Sequence, residues 1–182
     1  MFAGRLFKAL ERRFRSARAL RQAAGLTRMR LARGGIGRVL VICYGNIYRS
    51  AYIAEYLRVK LAGRIEVRGG GFHKVVGRPS PEAHVRMCAQ RGVSLEAHRS
   101  RCVDAADLEW ADTIVLMDRH NWLALDAMGA DPAKLVWAGV LAGGPVEIVD
   151  PYGQDEASAR HILDRLERAA EELVRRVTDE RT

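Results

Sequence analysis

Four consecutive apolar residues, Val39-Leu40-Val41-Ile42, run directly into Cys43, and the chain then passes Gly45-Asn46, Arg49 and Ser50 in quick succession. An unbroken apolar run of this kind reads as a strand buried on both faces, which requires a parallel sheet covered by helices. Gly45-Asn46 supply the backbone freedom for a sharp turn after it. Ser50 is expected to cap a helix over 51–61, with Ile53, Leu57 and Leu61 on one face and Glu55 and Lys60 off it. The stretch is therefore a strand, a turn carrying polar chemistry, and a helix.

The rest of the chain repeats that alternation. Arg64 to Val67 reads as a short strand ended by Gly69-Gly70-Gly71, where positive φ angles are expected. Ser80 and Pro81 mark a helix start as N-cap and first helical residue, and that helix should end at Gly92. Its Ala83, Met87 and either Val85 or Cys88 should face the core, which makes Cys88 a small buried hydrophobe. A helical turn over 104–110 precedes the strand Thr113 to Met117. Asn121 to Met128 reads as helix, Lys134 to Trp137 as a last strand, and 155–177 as a closing helix with Ile162, Leu166, Ala169, Leu173 and Val177 inward. Four strands alternating with helices predict an α/β, three-layer doubly wound sandwich with a four-stranded parallel sheet and helices on both faces. In such sheets ligands bind at the carboxyl ends of strands, where Cys43 sits.

The formal net charge of +8 suggests nucleic acid until it is divided along the chain. Residues 1–38 carry eleven Lys or Arg against the single acid Glu11, a net +10, so the remaining 144 residues sum to −2. Basic character thus belongs to an N-terminal extension over 1–37, and the domain over 38–182 offers no nucleic-acid surface. Residues 1 to about 24 read as a basic amphipathic helix with Phe2, Leu6, Leu10, Phe14, Ala17 and Leu20 near one stripe. Three roles fit it: a solvated, loosely packed extension, a peripheral contact with anionic lipid or an acidic partner, or self-association. Its removal should alter location or partner choice more than turnover. No apolar run approaches the roughly 20 residues of a membrane span, and no signal h-region is present, so the cytoplasm is the default. Three cysteines at irregular spacing form neither a disulfide framework nor a zinc pattern.

A cysteine followed by five residues and an arginine has a physical logic. Backbone N–H groups of the loop can close round a phosphate, the sulfur lies beneath it, and the guanidinium clamps two oxygens. A helix starting at Ser50 aims its positive end at the same point and favours an ionised, nucleophilic sulfur. The spacing alone is weak, because about one residue in seven is arginine. The context is stronger: a strand before, Gly-Asn within, and Ser with a helix after. Displacing an alkoxide or aryl oxide from phosphorus also needs a proton donor. Asp150 is the candidate, on a loop stiffened by Pro151, with Tyr152 placed to wall a pocket for a flat ring.

Cys43-Tyr44-Gly45-Asn46-Ile47-Tyr48-Arg49-Ser50 resembles the phosphate loop of the low-molecular-weight protein tyrosine phosphatases of bacterial type, and Asp150-Pro151-Tyr152 resembles their general-acid loop. Residues 97–101 and 111–118 are similar to family segments in the same order, so the likeness covers about 38–177. The resemblance implies a two-step hydrolysis of phosphotyrosine. Cys43 would form a cysteinyl phosphate, Arg49 and the loop would hold the oxygens, and Asp150 would protonate the phenol and then activate water. It further implies that Ser50 stabilises the thiolate, that Asn46 locks the loop with His98 supporting it, and that neither metal nor other cofactor is needed. The implied partner is a phosphotyrosine protein, typically a tyrosine kinase of polysaccharide export for bacterial relatives.

Two departures stand out. Tyr48 occupies the place of the family's second loop cysteine, which removes the usual protective disulfide. Gly69-Gly70-Gly71 replaces a Ser-Ala-Gly whose hydroxyl would tie down Asn46. Two other functions compete: arsenate reduction on the same fold, which needs a relay of cysteines that Cys88 and Cys102 do not match in spacing, and non-catalytic phosphotyrosine binding with the basic arm as the working part.

Overall fold

The structure, a computed structural model, describes residues 2–179, without the side chains of residues 2–6, 8 and 9; the expected apolar positions Phe2 and Leu6 lie outside the described side chains. Four parallel strands form one sheet in the order β2-β1-β3-β4: β1 (Arg38–Cys43), β2 (Glu66–Gly71), β3 (Thr113–Leu116) and β4 (Leu135–Trp137). This is the doubly wound parallel sandwich expected from the strand pattern. Its helices are α1 (Phe2–Ala32), α2 (Arg49–Leu61), α3 (Glu82–Ala89), α4 (Ala105–Trp110), α5 (Arg119–Ala127), α6 (Ala138–Leu141) and α7 (Glu156–Asp179). No helix among the described residues is long and apolar enough to cross a membrane.

β1 is central, and its apolar run divides between two cores because successive side chains point to opposite faces. Val39 and Val41 pack with Ile53, Leu57, Leu166 and Leu173 under α2 and α7. Leu40 and Ile42 pack with Ile114, Leu116, Trp137 and, from α1, Ala19 and Ala23. Each fully buried Leu or Ile is worth about 1.5–3 kcal/mol, so this strand is fixed from both sides. The inward face expected for α7 is buried throughout: Ile162, Leu166, Ala169, Leu173 and Val177.

Three local expectations need correction. First, the N-terminal helix continues to Ala32 and does not stop near 24. Its second half is held by contacts that periodicity does not reveal. Thr27 Oγ1 accepts the Trp137 backbone N–H at 3.0 Å. Arg30, 5 % exposed, donates to the Asp112 carbonyl at 3.0 Å, to Thr113 Oγ1 at 2.7 Å and to the Gly34 carbonyl at 2.8 Å. Gly34 and Gly35, both at positive φ, then turn the chain into β1. Second, Gly69-Gly70-Gly71 do not end β2 but belong to it, paired with Val41, Ile42 and Cys43, and none has positive φ. Glycine is needed at 71 because a Cβ there would lie 2.6 Å from the Tyr44 carbonyl oxygen and 2.9 Å from the Asn46 nitrogen. Third, α3 starts one residue late: Pro81 is the N-cap, and Ser80 Oγ makes no capping bond. Met87 and Cys88 of that helix are buried as expected, whereas Ala83 is exposed.

Candidate active site

The site forms where β1 and β3 end side by side. Chain leaving β1 turns through residues 44–48 with Asn46 in the left-handed region (φ 51°), which asparagine tolerates better than most residues. It enters α2 at Arg49, so Ser50 is not the N-cap. The serine hydroxyl is engaged elsewhere. It lies 3.0 Å from Cys43 Sγ, accepts from Asn46 Nδ2 at 2.9 Å and reaches the Gly70 carbonyl at 3.3 Å. The Asn46 backbone N–H also points at Cys43 Sγ, at 3.2 Å. Sulfur at the end of a buried strand therefore receives an N–H, sits beside a hydroxyl, and faces the first turn of a 13-residue helix.

Asn46 holds the loop shut without the hydroxyl absent at residue 69. Its Oδ1 accepts from the Arg101 backbone N–H at 3.0 Å, its Nδ2 goes to Ser50, and its carbonyl lies 2.6 Å from His98 Nε2. His98, expected to support the loop, lies against its backbone. Burial holds the His98 imidazole below its ordinary pKa although the bond to Asn46 works the other way. Arg78, which the sequence reading did not select, donates to the Gly45 carbonyl at 2.7 Å and to the Val75 carbonyl at 3.0 Å, bracing the same turn from outside.

Arg49 is 1 % exposed and gathers the other half of the site. Nη1 donates to Asp118 Oδ2 at 2.6 Å and to the Ile148 carbonyl at 2.8 Å, and Nη2 donates to Asp150 Oδ2 at 2.5 Å. Nε, equally buried, has no partner among the described residues. Burial opposes the guanidinium charge, but Cys43, Asp150 and Asp118 outweigh it and raise the pKa above its ordinary value. Asp118 is the residue that motif reading missed. It lies just past the end of β3, beside the end of β1 at Cys43, and it caps α5 by accepting the Asn121 N–H at 2.9 Å. The strand-end rule that located Cys43 could have found it.

Asp150 reaches Arg49 because its loop is pinned to β3's end, with the Ile148 N–H donating to the Met117 carbonyl at 2.8 Å. Arg165 of α7 supports the loop from behind through the Glu147 and Pro145 carbonyls. Tyr152 N–H donates to Asp150 Oδ1 at 3.2 Å, a local turn that fixes the carboxylate's orientation. Cys43, Tyr44, Gly45, Ile47, Tyr48, Asp150 and Tyr152 line one cleft of about 430 Å³. All the loop and acid residues singled out in the sequence are therefore brought to one place.

Tyr48 points its ring at His84, 4.9 Å between centroids. His84 is 2 % exposed, and burial pushes its pKa down to about 4, against an opposing backbone bond near Tyr48 and with His98 adding to the depression. A stability consequence follows. Above pH about 6.5 the imidazole is neutral in both folded and unfolded chains; as pH falls toward 4 only the unfolded chain takes up the proton, so the fold loses stability, by on the order of 3 kcal/mol when complete. Urea midpoints should fall between pH 7.5 and 5, and His84→Gln should flatten that slope. Among the described residues no cluster of His, Cys, Asp or Glu could hold a metal ion.

A cysteine at a strand end, a buried arginine and a loop carboxylate thus meet at one cleft. Known proteins place it more narrowly. Residues 38–182 match the family Low molecular weight phosphotyrosine protein phosphatase. The chain is 31% identical over 141 residues to the low molecular weight protein-tyrosine-phosphatase Etp of Escherichia coli, covering 77% of this chain and 94% of that protein. It is 25% identical over 145 residues to a protein-arginine-phosphatase of Geobacillus stearothermophilus, covering 79% and 97%. The crystal structure of the Erwinia amylovora tyrosine phosphatase amsI superposes with a TM-score of 0.71 at 26% identity, over 77% of this chain and 92% of that one. The chain belongs to the low molecular weight phosphotyrosine protein phosphatase family.

Proposed function

We propose that this protein hydrolyses phosphotyrosine in protein substrates, with Cys43 as nucleophile, Arg49 as phosphate clamp and Asp150 as general acid and then base. In the first step Cys43 Sγ attacks phosphorus, the P–O bond to the ring breaks, and Asp150 gives its proton to the departing phenolate. In the second, the Asp150 carboxylate takes a proton from water, the hydroxide oxygen attacks phosphorus, and the P–S bond breaks to release inorganic phosphate. Arg49 is suited to bind the oxyanions because it is rigidly held, and leaving its buried charge without partners would cost about 3–5 kcal/mol. Asp118 acts as a positioning residue by fixing the guanidinium plane.

The observation that carries this reading is the buried, unpartnered Arg49 Nε beside Cys43, with Asp150 on the neighbouring nitrogen. Of the buried atoms left without a partner, Arg49 Nε is the one on a guanidinium whose other nitrogens hold Asp118 and Asp150, and a phosphate oxygen would give it an acceptor. The cleft favours an aryl ester over phosphoarginine. Ile47, Tyr48 and Tyr152 offer apolar and aromatic walls, and Asp150 is the single acid lining it. Arsenate reduction fits less well, because Cys88 is fully buried with its thiol pushed up to about 12 by burial, which leaves no ready relay. A binding-only role gives no use to Asp150. The three free cysteines, of which Cys102 is exposed, fit work in the reducing cytoplasm.

Asp150→Asn is expected to lower kcat for p-nitrophenyl phosphate by about 10²-fold, and to lower it more for phenyl phosphate, whose phenolate is the poorer leaving group. Equal losses on both esters would remove Asp150 from the acid role.

A further inference from the structure

The first half of α1 lies outside the family match, yet it forms one wall of a second groove that adjoins the catalytic cleft. Arg12 and Arg15 stand on that wall, α5 forms the other, and the groove holds about 610 Å³. Tyr44 is common to both cavities: it is 55 % exposed, belongs to the phosphate loop, and lines the groove on one side and the cleft on the other. Phe72, Leu123 and Ala124 give the groove an apolar floor.

The charge here is one-sided. Arg12 and Arg15 are three residues apart and so share one helix face. Arg15 is paired with Asp126 at 2.5 Å, which cancels the one acid in the groove. Arg12 is exposed and has no ion pair among the described residues. His120 also lines the groove. The groove therefore asks for an acidic occupant with an apolar side chain between its charges.

We propose that this groove is a docking subsite for the substrate protein, and that it takes an acidic segment a few residues away from the phosphotyrosine held in the cleft. The inference rests on the aryl-phosphatase reading of the cleft. Continuity through Tyr44 favours a polypeptide over a lipid surface: a chain whose phosphotyrosine enters the cleft can run on across Tyr44 into the groove, which is concave where a membrane would need a convex face. α1 then makes the protein selective for acidic phosphotyrosine sites.

The test uses labelled phosphotyrosyl peptides whose flanking residues are either Glu and Leu or Gln and Leu, titrated by fluorescence anisotropy into the full chain carrying Cys43→Ser. The acidic peptide should bind about fivefold tighter at low salt, with the preference shrinking as ionic strength rises. Arg12→Glu, at an exposed helix position that does not endanger folding, should abolish the preference and Arg12→Gln should halve it. Equal binding of the two peptides, or a preference that survives Arg12→Glu, overturns the proposal. So does an Arg12→Glu chain that keeps the peptide preference but no longer sediments with phosphatidylserine vesicles, since the arm would then serve a membrane. Turnover of p-nitrophenyl phosphate by the wild-type chain judges the cleft separately. That ester is too small to reach the groove, so its absence with the acidic preference intact would defeat the catalytic reading and leave the docking site standing.

Discussion

Cys43→Ser should reduce turnover of p-nitrophenyl phosphate by at least about 10⁴-fold, to the level of the uncatalysed background. The substitution is nearly isosteric at a buried position of one core, so circular dichroism and thermal midpoint should stay close to wild type. The loss is chemical. A serine hydroxyl must shed its proton before it can attack phosphorus, and the groups around Sγ are the Asn46 N–H and the Ser50 hydroxyl, neither of which is a base. Activity retained in Cys43→Ser, after exclusion of contaminating phosphatase, would mean that water or another side chain attacks.

Deleting residues 1–35 should prevent folding, whereas deleting residues 1–11 should leave a folded chain that still turns over p-nitrophenyl phosphate. The longer deletion strips Ala19 and Ala23 from the core that holds Leu40, Ile42 and Trp137. It also leaves the Trp137 N–H and the Asp112 carbonyl without the partners they find in Thr27 and Arg30. Lost burial together with orphaned polar groups amounts to on the order of 5 kcal/mol, comparable to the whole stability of a small domain. This is a larger effect than an appended basic arm would have, and thermal melts of the two truncations would separate the cases. A 1–35 deletion that melts like the full chain would show that α1 only rests on the sheet.

Much of the site was legible because its chemistry is local. An apolar strand, a Gly-Asn turn and an arginine lie within a dozen residues, and the strand-end rule for parallel sheets says where they face. Asp150 was legible as an acid on a stiff loop, although its approach to Arg49 depends on Met117 and Arg165, which no motif marks. Asp118 and Arg78 were not selected because their roles come from the turn they meet in space. Ser50 misled for a related reason: a serine at a helix start ordinarily caps it, but here sulfur and Asn46 engage the hydroxyl. The glycines at 69–71 looked like a strand terminator, and they are strand residues, of which Gly71 above all is kept small so that the loop can lie against it. The length of α1 was hidden because Arg30 reads as a solvated charge, and it is the backbone of residue 112 together with Thr113 that lets it be buried.

The most direct test of the account is to trap the intermediate. The full chain is mixed with p-nitrophenyl phosphate, quenched in acid within the first turnover, and digested for mass spectrometry. A burst of about one p-nitrophenol per active site and a phosphoryl group on the peptide containing Cys43 are expected, both lost in Cys43→Ser. Steady release without a burst, together with a phosphoryl group on another residue or on none in the wild-type chain, would contradict it.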